Sequence, residues 1–285
     1  MIEDVQPVTI QTSRGAVEYA VWGEGPAVLL LHGAMGGWDQ GVLLARSAAG
    51  VPCFQYVAIS RPGYLGTPLA SGRTPEEQAD LCASLLEALG IRDAALIAIS
   101  GGGQCALQFT LRHRKRCRGL VMISACSAQI RVPVPFRFQM MKLMAHVPPL
   151  VRAMRRKAAL RAPALNDPEA GPLMMALQSS TMERMAERMP GTQNDIRQSR
   201  LPFDYPLERI SVPLLVVHGT ADQAAPYTHA QSLASRVPKA ELLSIEGGEH
   251  AALFTHLHEI RERVVPFLEA VSSSPGTVRE SRRTS

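Results

Sequence analysis

The chain has 285 residues, 46% of them apolar and 19% charged, with a mean hydropathy of +0.01, which excludes disordered and fibrous classes. Thirty basic residues against 25 acidic ones leave a net charge of +5, so a nucleic-acid partner stays open until the charge is located. The five cysteines form no C-x-x-C pair and no run of 18 apolar residues occurs, which argues against a zinc site, a disulfide framework and a membrane span, and with the acidic start Met1-Ile2-Glu3-Asp4 predicts a cytoplasmic protein.

In chain order, residues 8 to 31 read as a strand pair leading into a continuous apolar strand, Ala27 to Leu31, that stops at His32-Gly33. A second buried strand, Cys53 to Ile59, ends at Ser60-Arg61-Pro62-Gly63. Thr74-Pro75-Glu76-Glu77 then opens a helix, with Thr74 as N-cap, Pro75 at the first position and Glu77 placed to close a capping box. Strand Ala94 to Ile99, a glycine-rich turn, a helix from about Gly102 to His113 and strand Leu120 to Ser124 follow. Such alternation of strand and helix predicts a parallel sheet covered on both faces. Helical patterns alone fill the stretch from about Arg131 to Pro206, before Pro213 to His218, a helix near Tyr227 to Arg236 and Glu241 to Ile245 resume the rhythm. A last helix, Leu253 to Leu268, places Leu253, Leu257, Ile260, Val264 and Phe267 on one face. The expected organisation is therefore a core of residues 1–130 and 206–271, a helical insertion of 131–205, and a disordered tail of 272–285.

Ser100 lies between the strand 94 to 99 and the next helix, in Ala98-Ile99-Ser100-Gly101-Gly102. Small residues two positions to either side let strand and helix pass closely while the hydroxyl points outward, which is how a nucleophile is presented at a sharp turn. His32-Gly33-Ala34-Met35-Gly36-Gly37 follows an earlier strand, where the backbone N–H of Ala34, with that of Gly101, would cradle an oxyanion. Neither glycine cluster meets the G-x-G-x-x-G pattern of a dinucleotide site, and no G-K-[ST] of a phosphate loop occurs.

A serine nucleophile needs a base, and the base an orienting acid. Asp222, in His218-Gly219-Thr220-Ala221-Asp222, and His250, in Gly247-Gly248-Glu249-His250, each follow a strand and so share a sheet edge with Ser100. His256 and His258 flank the last helix's apolar face and read as solvated, while His113 and His146 sit in basic helical surroundings without a partner. No acid occurs between Asp93 and Asp167, which leaves Asp222 as the best acid.

With landmarks at His32-Gly33, Arg61-Pro62-Gly63-Tyr64, Ser100, Gly219 with Asp222, and Gly248 with His250, the sequence resembles the α/β-hydrolase fold superfamily. The resemblance implies an α/β architecture with a mostly parallel eight-stranded sheet flanked by helices, a helical cap after the sixth strand, and a Ser100, His250, Asp222 triad. Ala98 stands where glycine is usual, and Ser60 where the family often has Asp. Serine at the nucleophile position argues against the members that use aspartate there, the haloalkane dehalogenases and epoxide hydrolases.

Residues 94 to 166 carry 13 Lys or Arg and no acid, but only three interleaved aromatics, Phe109, Phe136 and Phe138, so a solvated basic face, with an anionic substrate or surface as the alternative, is favoured over nucleic acid. Nine of the 12 methionines fall between Met140 and Met189, a composition suited to an adaptable apolar wall or to packing between cap helices. Met35, Tyr64, Met140, Met144 and Met175 are the pocket candidates. The expectation is a serine hydrolase of a small, apolar carboxylic ester or related acyl substrate, with no metal or organic cofactor. Carbon-carbon bond hydrolysis or cofactor-free peroxidation on the same residues, and a receptor-like or inactive relative that only binds its ligand, are the alternatives.

Overall fold

The computed structural model describes residues 4–131 and 167–273. Strands β1 (Val8–Thr12), β2 (Gly15–Trp22), β3 (Ala27–Leu31), β4 (Gln55–Ile59), β5 (Ala94–Ile99), β6 (Cys117–Ile123), β7 (Leu214–Gly219) and β8 (Ala240–Ile245) form one sheet in the order β1-β2-β4-β3-β5-β6-β7-β8. Only β1 with β2 and β2 with β4 pair antiparallel; every later pairing is parallel. The α/β architecture with a mostly parallel eight-stranded sheet therefore stands as expected.

Alternation along the central strands feeds two cores. In β5, Ala95 and Ile97 face α1 (Trp38–Ala48) and the C-terminal helices, whereas Ala94, Leu96 and Ala98 face α2 (Pro75–Ala88) and α3 (Gly103–Arg112). Helix α2 starts as its sequence dictates: Thr74 accepts from the Glu77 N–H at 3.2 Å, and the Glu77 carboxylate accepts from the Thr74 N–H at 3.0 Å. Between β6 and β7 lie α4 (Ala170–Glu183) and α5 (Met185–Arg200), and after β7 come α6 (Thr228–Arg236), α7 (Ala252–Thr255) and α8 (Leu257–Ser273).

Three expectations change. The last helix is broken at His256, and its second part runs through Ser273, into the expected tail; Leu268 rather than Phe267 completes its fully buried face. His113 has a partner, Asp80, at 2.8 Å, and the same carboxylate takes Arg112 at 2.7 and 2.9 Å. Sequence position hid this pair because α2 and α3 meet only in the folded chain. Arg118 pairs likewise with Asp93, at 2.5 Å, so part of the basic stretch is balanced by acids from outside it.

Candidate active site

Ser100 turns the chain from β5 into α3 with φ of 51°, a left-handed conformation that costs a non-glycine residue about 1–3 kcal/mol. The turn passes so close to the end of β3 that a methyl group at Gly102 would stand 2.5 Å from the Leu31 carbonyl oxygen. That clearance is the reason for a small residue two positions after Ser100. The Cys126 N–H donates to the Ser100 carbonyl at 2.9 Å and ties the turn to the chain beyond β6.

Two further loops reach the same edge. Ser100 Oγ lies 2.9 Å from His250 Nε2, and His250 Nδ1 lies 2.8 Å from Asp222 Oδ2. With Nδ1 donating to the carboxylate, Nε2 is left to accept from the hydroxyl. Asp222 Oδ1 accepts from the N–H groups of Ala224 and Ala225 at 2.8 and 2.9 Å. Burial pushes the Asp222 carboxyl up, but hydrogen bonds from His218 and His250 outweigh it and hold the group well below the usual carboxylate range. Asp222 is therefore a fixed negative charge under the imidazole.

In the sequence His218 marks only the end of a strand. It is buried, and its Nε2 stands 2.8 Å from the Ala225 carbonyl and 3.3 Å from Asp222 Oδ2. Its four-residue spacing from Asp222 was the available signal, legible only once strand end and loop are placed.

The loop after β3 lies against the Ser100 turn: a side chain on Gly101 would begin 3.4 Å from the Ala34 nitrogen and one on Gly33 would begin 2.9 Å from Ser100 Cβ. Both backbone N–H candidates, Ala34 and Gly101, thus belong to adjoining segments beside the serine. Burial, reinforced by the Arg61 guanidinium, holds His32 well below the ordinary imidazole value.

The pocket candidates fare unevenly. Met35 is buried against Met185 and Met189 of α5, with Met182 of α4 beside them. Tyr64 is fully buried, its hydroxyl donating to Asp195 at 2.6 Å, so it is a packing and hydrogen-bonding residue instead of an open wall. Met175 is 57% exposed and stands outside the methionine cluster, and Met140 and Met144 lie outside the described residues. Asp195, in α5, is not among the sequence candidates: no local pattern marks it, and its partners Tyr64 and Arg61 lie 131 and 134 positions away.

The alpha/beta hydrolase family model matches residues 28–263. A non-heme chloroperoxidase of Streptomyces lividans is 29% identical over 92% of this chain and 99% of its own length. A poly(3-hydroxyalkanoate) depolymerase of Ectopseudomonas oleovorans is 28% identical over 76% of each chain. Among solved structures, an alpha/beta hydrolase fold protein from Nakamurella multipartita superimposes with a TM-score of 0.78 at 31% identity, covering 93% of this chain and 99% of that one. The chain, with its sheet, its strand order and the match across most of its length, belongs to the alpha/beta hydrolase family.

Proposed function

We propose that the protein is a serine hydrolase that cleaves a carboxylic ester or related small acyl substrate through an acyl-enzyme intermediate. The observation that carries this reading is the unbroken hydrogen-bonded relay from Ser100 through His250 to Asp222. Ser100 Oγ attacks the carbonyl carbon as His250 Nε2 takes its proton, and the same proton then goes to the leaving alkoxide. Water, deprotonated by His250, releases the acid and regenerates the serine. Asp222 keeps the imidazole in the Nδ1–H tautomer and balances the imidazolium charge. The N–H groups of Ala34 and Gly101 receive the oxyanion, worth about 10²–10³ in rate per donor. Residues 131–205 serve as the cap, with Met35 in the apolar wall that faces the acyl group.

A fluorophosphonate probe should label Ser100, and Ser100→Ala should abolish both labelling and the hydrolysis of a panel of p-nitrophenyl esters while the protein stays folded. Full hydrolysis by Ser100→Ala would overturn the assignment. The similarity to the S. lividans protein, named as a non-heme chloroperoxidase, supports a second reading, cofactor-free peroxidation on the same residues. It is distinguished by supplying hydrogen peroxide, bromide and a short carboxylic acid and following halogenation of monochlorodimedone. Halogenation that exceeds ester turnover would favour it.

A further inference from the structure

Helix α5 is docked by two ion pairs of opposite sense. Arg188, fully buried, pairs with Asp39 of α1 at 2.5 and 3.1 Å. Two turns further on, Asp195 pairs with Arg61 of the loop after β4 at 2.5 and 3.0 Å. Between these pairs lies Pro190, and the helix backbone there turns outward: the Gly191 N–H donates to the Gly63 carbonyl at 2.7 Å and the Glu187 carbonyl accepts from the Leu65 N–H at 3.1 Å. In an uninterrupted helix Gly191 and Glu187 would bond each other.

Arg61 connects this docking to the chemistry. Burial opposes its charge, but Asp195 more than offsets that and keeps the guanidinium protonated. Arg61 Nε donates to the His32 carbonyl at 2.9 Å and Nη2 to the Gly33 carbonyl at 3.3 Å. His32 Nε2 accepts from the Arg61 N–H at 2.9 Å, so its Nδ1 carries the proton and donates to the same Gly33 carbonyl at 2.7 Å. The Gly33 carbonyl and the Ala34 N–H belong to one trans peptide plane and point in opposite directions. Two donors on the carbonyl therefore fix where the Ala34 N–H points. Asp195 itself reaches the serine turn, because a side chain on Gly101 would begin 2.9 Å from Asp195 Oδ2.

Resting on the serine-hydrolase reading, we propose that Asp195 is a positioning residue for the oxyanion hole: by holding Arg61 it holds the Gly33–Ala34 peptide, so that this one contact of the inserted helix, and not its docking as a whole, sets the readiness of the hole. The alternative for a carboxylate in this place is electrostatic, repelling the charge that develops on the substrate oxygen. The two roles predict opposite signs, since removing a repelling charge speeds the reaction and removing a support slows it.

The test compares wild type with Asp195→Ala and Asp195→Asn on a small neutral ester, together with the affinity of an alkyl boronic acid, whose tetrahedral serine adduct needs the hole. Asp195→Ala should lose about tenfold to 10²-fold in kcat with KM changed by less than about threefold, and boronate affinity should fall in parallel. Asp195→Asn, which keeps an acceptor oxygen for Arg61, should fall between it and wild type. A double variant, Asp39→Asn with Arg188→Met, breaks the other tie of the same helix and should lower the melting temperature while keeping kcat within about threefold of wild type. Leu173→Ala in α4 serves the same purpose if that double variant does not fold. Wild-type kcat or boronate affinity in Asp195→Ala, a faster rate, or an equal loss in the destabilised comparison variant would overturn the proposal. Wild-type protein that neither labels at Ser100 nor turns over esters would instead overturn the hydrolase reading on which it rests.

Discussion

Gly219 closes β7, and a methyl group there would stand 2.1 Å from the Gly248 carbonyl oxygen and 2.4 Å from its carbon. Both obstacles are backbone, so no side-chain rotation relieves the clash. Since Cβ contacts under 3.0 Å are essentially never seen, Gly219→Ala must part the two loops by about 1 Å. Asp222 lies on one loop and His250 on the other, joined by a bond of 2.8 Å. Parting them lengthens that bond toward about 3.8 Å, beyond hydrogen-bond range. A misplacement of about 1 Å costs of order 10² in rate, and complete loss of the orienting acid about 10⁴, so kcat should fall between those bounds. Overpacking alone should cost about 1–3 kcal/mol of stability. Ester kinetics and urea denaturation are to be measured together, with Gly247→Ala as the comparison. Gly247 has φ of +66° and nothing within 4 Å of the added methyl, so alanine there should cost about 1–2 kcal/mol with kcat retained. A folded Gly219→Ala with wild-type kcat would show that the two loops do not move as units, and the reasoning would fail.

His218→Phe removes the donor shared by Asp222 and the buried Ala225 carbonyl; kcat should fall about tenfold and stability by about 1–3 kcal/mol, read from kinetics and melting. Acid should weaken the fold through His229, which burial, with the His218 charge adding to it, pushes down to about 4. Above pH about 6.5 both states are neutral and stability is complete; as pH falls from there to about 4 only the unfolded chain takes up the proton, so stability drops by up to about 1.4 kcal/mol per pH unit. His229→Gln should flatten the dependence of urea midpoint on pH in that window, and an unchanged slope would contradict the assignment.

Elements specified by local chemistry were legible from the chain. The capping box of Thr74 and Glu77 fixes the start of α2 whatever surrounds it, and the small residues around Ser100 form a contiguous sequence signature, although what requires Gly102 to be small is the Leu31 carbonyl of the neighbouring strand β3. The loops of Asp222 and His250 were found because they follow apolar strands, and parallel strands deliver such loops to one edge. Groups defined by tertiary partners were not legible. Asp195 and Arg61 are 134 positions apart, and in Thr192-Gln193-Asn194-Asp195 an acid reads as solvent-facing until the helix is docked. Tyr64 looked like a pocket wall for the same reason: its ring is covered by Gly191 of α5, a contact that no local pattern announces.

The loop after β3 is gripped at both ends by groups outside it. At Gly33 the grip comes from His32 and Arg61, and at Met35 from α5, whose Thr192 hydroxyl accepts from the Met35 N–H at 2.9 Å while donating to the Arg188 carbonyl at 2.9 Å. Gln40 of α1 holds the Met35 carbonyl at 2.9 Å and bonds Thr181 of α4 at 2.7 Å. Met35 has φ of 58°, an unfavourable conformation for a methionine that both bonds help to enforce. A loop with a strained residue at its centre and supports on two inserted helices is not specified by the sheet alone. The sheet edge supplies the serine, histidine and aspartate, whereas the shape of the loop that would complete the site depends on how the insertion packs. If the protein is the serine hydrolase proposed above, substitutions in the insertion are therefore expected to alter rate as well as selectivity without any change at Ser100, Asp222 or His250.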